Sequence, residues 1–175
     1  LAIVPPICDA LQYAHEKGKT EMIAANMIGI PLETSVVMKK DSLDSGKIIS
    51  KTETKYDNPI SLLPSSVLSY DLQSFMTSST EVTYDSYDNK GNLLQYTTKA
   101  GTPTAIIWGY SQTHPIAKIE GATYAQVSGH ITDIVNYSNI DASVGSDVSE
   151  QDLIDKLDAF RKKTELSGFQ ITTYT

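Results

Sequence analysis

The chain has one cysteine, one tryptophan and three histidines among 175 residues. Cys8 by itself can neither close an internal disulfide nor supply a multi-cysteine zinc motif, and it reads as a small apolar residue. His15, His114 and His130 are far apart in sequence and fit no metal-ligand spacing. Basic charge is scarce too: 14 Lys and Arg stand against 21 Asp and Glu, for a formal net charge of -7. Nucleic-acid binding therefore lacks its electrostatic basis, since Lys39-Lys40 and Lys162-Lys163 are only pairs. No apolar run approaches the ~20 residues of a membrane-spanning helix. There is no Gly-x-Ser-x-Gly nucleophile elbow and no phosphate-binding glycine loop. The acidic residues are too evenly spread to single out a catalytic pair. The sequence gives no basis for an enzyme, a cofactor or a metal centre.

What is present is ordinary globular composition, 40% hydrophobic and 20% charged. A chain of this length can bury its own core. Ten tyrosines are the one enriched type. Residues 5–29 read as a helical lead-in: Pro5 and Pro6 suit a helix start, and Thr20 can cap a second short helix. Residues 30–120 read as β structure. Leu32–Lys40 and Lys47–Asp57 are β-branched, and "DSLDSG" joins them with Gly46 able to take positive φ, which predicts a hairpin. A shorter extended segment is expected over Val67–Leu72.

The strongest signal follows. "TEVTYDSYD" (Thr80–Asp88) and "NLLQYTT" (Asn92–Thr98) alternate on the strand period, and "DNKG" between them has the chemistry of a bulged hairpin loop. "TKAG" repeats that chemistry up to Gly101 and leads into Thr102–Tyr110, so a three-strand meander is predicted. Ile116–Gly121 adds a strand. Residues 121–175 read as helical with a terminal strand. A helix is predicted over about 122–136, weakened by Gly129. Asn139–Asp147 reads as a loop. Ser149–Lys163 reads as the best helix, opened by Ser149 and Asp152 in a box-like cap. Phe169–Thr175 reads as a last strand. The expected class is α+β: an antiparallel hairpin and meander sheet covered by two or three helices. Ile106, Trp108, Ile131, Ile134, Leu153, Leu157 and Phe160 are the expected core.

Within this, "YDSYDNKGNLLQYTT" resembles the YD repeats of the rearrangement-hotspot (Rhs) family of large bacterial surface and secreted proteins. The match rests on Tyr87, Asp88, Gly91, Asn92 and Leu93. The wider segment Gly91–Val127 is similar to a characteristic region of such proteins, and Thr54–Asn58 and Leu68–Asp71 look like degenerate copies. The resemblance implies β-hairpins that continue into long strips. It therefore implies that the chain is one fragment, residues 1–175, of a longer protein. Its partners would be the remaining repeats of that protein, and its location the cell surface or the extracellular space. A start at Leu1 and a strand that stops at Thr175 lead to the same expectation. The chain carries no self-cleavage motif and no recognisable toxin domain, so the role implied is that of a non-catalytic structural module.

Two ligand readings stand beside that one. Tyr84, Tyr87, Tyr96, Trp108 and Tyr110 could form an aromatic face for a cell-surface glycan or a protein partner, although cross-strand packing is the simpler use of strand aromatics. The acidic pairs Asp85/Asp88 and Asp41/Asp44 offer oxygen ligands for calcium but lack the terminal bidentate Glu of a calcium loop, and turn capping by Asp and Asn is the simpler reading.

Overall fold

The computed structural model describes residues 32–57, 61–73 and 77–175. The helical lead-in expected over residues 5–29, with Cys8 and His15, lies outside these residues. Eight strands follow one another as an antiparallel meander: β1 (Glu33–Met38), β2 (Lys47–Lys55), β3 (Ser66–Tyr70), β4 (Ser78–Tyr87), β5 (Leu93–Thr98), β6 (Pro103–Gly109), β7 (His114–Glu120) and β8 (Gln170–Thr173). The expected α+β class is therefore observed. The chain divides into two compact units, Leu1–Thr83 and Tyr84–Thr175, with the division inside β4.

In the first unit the predicted hairpin forms. Thr34 pairs with Thr52 and Val37 with Ile48, and a bulge lies between Val36 and Val37. The "DSLDSG" loop is tied by its own carboxylates. Asp41 Oδ1 accepts the amides of Leu43 and Asp44 at 2.9 and 3.0 Å. Asp44 accepts those of Gly46 and Lys40 at 2.9 and 3.0 Å. These bonds hold the Asp44 carboxyl below its ordinary pKa, because amide donors favour the charged form. Glu53 is buried and receives the Tyr70 hydroxyl and, at 2.7 Å, Lys55 Nζ.

The second unit holds the main core. β6 and β7 present Ala105, Ile107, Ile116, Ala117 and Ile119 to the helices. Strand side chains alternate, and the ladder sets Ala105 opposite Ile119, so Ile106 falls on the other face. Ile106 and Trp108 are only half-buried, which corrects their expected place in the core. Ile107, one residue along, is fully buried instead. A shift of one in the phase of the strand exchanges the two faces.

The helical region departs most from expectation. The helix predicted over 122–136 is broken. A four-residue helix, α1 (Tyr124–Val127), starts at a capping box made by Thr123 and Gln126. A 3-10 turn over Ser128–His130 then carries Gly129, and α2 (Thr132–Val144) begins afresh. Of the loop predicted over Asn139–Asp147, residues 139–144 are the second half of α2, which ends at Gly145 in the left-handed conformation, and Asp147 already opens the next helix. The segment's polar composition misled because the polar residues have tertiary partners, described below. The last helix, α3 (Asp147–Arg161), is capped by Ser146. Ser149 is its third residue and completes that cap, so the expected cap by Ser149 and Asp152 lies three residues too late. Ser149, Leu153, Leu157 and Phe160 form its buried face. Ile134 is buried with them, while Ile131 packs at the margin of the core. Burying a side chain such as Phe160 stabilises by about 1.5–3 kcal/mol. No described helix is long and apolar enough to cross a membrane.

A candidate cleft beside a left-handed turn

The turn between β6 and β7 is built from an unusual backbone. Tyr110, Ser111 and Gln112 have φ of 50°, 56° and 64°, three successive left-handed residues that are not glycine. Left-handed backbone costs L-residues roughly 1–2 kcal/mol each. The turn closes on itself through Thr113, whose amide donates to the Gly109 carbonyl at 3.1 Å and whose hydroxyl donates to the Tyr110 carbonyl at 2.6 Å. The remaining support comes from two other places in the chain.

The first is the β4–β5 loop, the one with the Tyr-Asp motif. Asp88 Oδ1 accepts the amides of Lys90 and Asn92 at 2.8 and 2.9 Å, and Oδ2 accepts Asn92 Nδ2 at 3.0 Å. Gly91 takes φ of 85°, the positive value foreseen for it, and Gly101 takes 77° in the next turn. Partial desolvation pushes the Asp88 pKa up. Bonds from Asn92 and Lys90, with the Lys90 charge, more than offset that and leave it below the ordinary value. So braced, Asn92 Nδ2 donates to the Gln112 carbonyl at 2.9 Å, and Lys90 Nζ donates to the Ser111 carbonyl.

The second support is α2. Ser138 Oγ accepts the Tyr110 amide at 3.2 Å, and Asn139 Oδ1 accepts the Ser111 amide at 2.7 Å. Asp141 accepts the Tyr110 hydroxyl at 3.1 Å and the Ser149 hydroxyl at 2.7 Å, which joins the turn to the cap of α3. Burial first, then this bond and the charges of Asp141 and Glu150, raise the Tyr110 pKa above its ordinary value. α2 comes this close because residue 109 has no side chain. A Cβ there would collide with Ser138 Oγ and lie 2.7 Å from Ile116 Cγ2.

Between the turn, the β4–β5 loop and α2 opens a cleft of about 650 Å³. Leu94, Ile107, Trp108, Ile131 and Val135 give it apolar lining, and Gln112, Thr132, Asn136 and Asn139 give it neutral polar groups. β5 and β6 are paired only from Gln95/Ala105 to Thr97/Pro103. Farther along, Trp108 Nε1 takes up the Leu93 carbonyl at 2.9 Å.

The sequence-predicted aromatic face is divided. β4 and β5 are neighbours through Asp85, which accepts Gln95 Nε2 at 2.8 Å and Thr97 Oγ1 at 2.7 Å. Strand alternation then places Tyr84 and Tyr96 on the face away from the helices and Tyr87 on the opposite face, while Trp108, past a register shift in β6–β7, lines the cleft. Tyr110 belongs to the turn and packs edge-on against His114, with ring centroids 5.7 Å apart. The carboxylates of Asp85 and Asp88 serve the hairpin. Among the described residues no three His, Cys, Asp or Glu side chains converge as a metal set. Sequence reasoning missed Ser138, which lies just past the helix it ended near residue 136, and Asn139 and Asp141, which it read as loop. Their spacing with Ile131, Ile134 and Val135 is helical, and that was the signal available. No family model, curated protein or solved structure matches the chain.

Proposed function

We propose that the chain is a non-catalytic structural module, one stretch of a repeat-built sheet in a Rhs-like surface or secreted protein. The observation that carries this reading is the use of the Tyr-Asp motif. Asp88 closes its own hairpin, and Asn92 reaches on to brace the next turn. A motif spent on joining one hairpin to the following turn is suited to repetition along a meander. β8 has one hydrogen-bonded neighbour, β7, among the described residues, and its other edge is where a further strand would add. Hydrogen exchange tests this on the chain alone and on a longer stretch of the parent protein. The outward amides of β8 become protected in the longer stretch. Unchanged, fast exchange there overturns the reading.

A second reading, a carbohydrate- or partner-binding module, draws on strand alternation, which puts Tyr84 and Tyr96 on the sheet face away from the helices. Tyr87, Trp108 and Tyr110 do not join them. Glycan-array binding lost in Tyr96→Ala supports this reading, and an array without any bound glycan removes it.

A further inference from the structure

We propose that the cleft beside the left-handed turn is a binding site for an uncharged peptide segment, one that brings a peptide group and an aliphatic side chain. The inference stands apart from the scaffold role. It rests on the cleft's size, on the chemistry of its wall and on the strained backbone that borders it.

About 650 Å³ lies within the roughly 300–1,000 Å³ of small-molecule sites. The lining has the composition such sites use, an apolar surface with a few convergent polar groups. Ile131, Val135 and Leu94 supply the surface an aliphatic side chain would cover.

The polar groups select the ligand's charge. Two charged side chains, Asp88 and Lys90, reach the cleft, and both are occupied by the β4–β5 loop and the Ser111 carbonyl. What remains is neutral. Asp88 and Lys90 are of opposite sign and interact with each other, so the cleft carries no net charge to offset the desolvation of a charged ligand, and a neutral one is favoured.

The wall already shows how it binds backbone. Asn92 donates to the Gln112 carbonyl, and Asn139 accepts the Ser111 amide. Each carboxamide meets one half of a peptide group. Asn136 lies three residues before Asn139, on the same side of α2, and also lines the cleft. Its side chain, like that of Gln112, makes no hydrogen bond to the described residues. A carboxamide offers a donor and an acceptor side by side, the complement of a peptide N–H and C=O. The left-handed turn borders this wall, and strained backbone of this kind gathers at ligand clamps.

The test uses the full chain, isotopically labelled, titrated with N-acetyl-leucine methylamide and followed by amide NMR shifts. Saturable shifts are expected at Gln112, Ile131, Asn136 and Asn139, with a Kd on the order of 1 mM, a reasonable value for so small a probe. N-acetyl-aspartate should bind at least tenfold more weakly. Asn136→Trp, at an exposed helix position, should fill the cleft and abolish the shifts. Asn136→Leu keeps the cleft open and should weaken binding about fivefold, the loss of roughly one hydrogen bond. Circular dichroism shows whether each variant is folded, and either folded variant suffices. The proposal is overturned if the shifts do not saturate, if they persist unchanged in the folded variants, or if a neutral methyl glycoside binds as well as the amide.

Discussion

Asn92 donates its side-chain amide to the Gln112 carbonyl at 2.9 Å, across twenty residues of sequence. The same group donates to Asp88 Oδ2 at 3.0 Å, so one carboxamide links the hairpin motif to the left-handed turn. Removing it cuts both contacts. Asn92→Ala is expected to lower stability by about 1–3 kcal/mol, read as a lower urea midpoint at unchanged slope.

The turn itself predicts a reversal of the usual substitution pattern. Ser111→Gly relieves left-handed strain and should be neutral or stabilising by up to about 1 kcal/mol. Ser111→Val puts a β-branched residue where φ is positive and should destabilise by about 1–2 kcal/mol. If Asn92 acts by holding this strain, the Ser111→Gly background will soften the effect of Asn92→Ala. A double-mutant cycle measures that coupling, and strict additivity would show that the two are independent.

Gly109 sets the approach of α2 to the sheet. Gly109→Ala places a methyl against Ser138 Oγ and Ile116 and is expected to cost about 1–3 kcal/mol by overpacking. Ser138→Ala in the same chain removes one of the two obstacles. The paired variant should recover part of the lost thermal stability, and no recovery would place the strain elsewhere.

Two titrations have opposite signs. Asp88 has a depressed pKa in the folded chain, so its contribution is present above the unfolded value near 4. It is lost as pH falls through the folded pKa. Asp88→Asn should therefore flatten the acid side of the stability profile. Tyr110 has a raised pKa, so its contribution is complete below the unfolded value near 10. It is lost as pH rises through the folded value. Tyr110→Phe should flatten the alkaline side, and ultraviolet titration should show one phenol ionising later than in Asp141→Ala.

Sequence period and turn chemistry were enough for the strands from Thr80 to Glu120, because alternation and the Asp–Asn–Gly loop are local properties. They were also enough for Leu153, Leu157 and Phe160, whose spacing defines one helix face. They were not enough for Ile106 against Ile107: either phase of that apolar run fits a strand, and only the pairing of Ala105 with Ile119 selects the buried face. They failed for Asn139–Val144, where loop-like composition is held helical by Ser138, Asn139 and Asp141 bonding to a turn nearly thirty residues away. The cleft was beyond the sequence for the same reason. Its walls come from a hairpin loop, a strained turn and a helix that are adjacent only once the chain has folded. The sequence by itself determined the strands, the hairpin loops and the use of Asp88 as a turn residue. Tertiary structure decided which strand face is buried, where α2 ends and that Asn92 holds the turn at Gln112, because each of those depends on a partner distant along the chain.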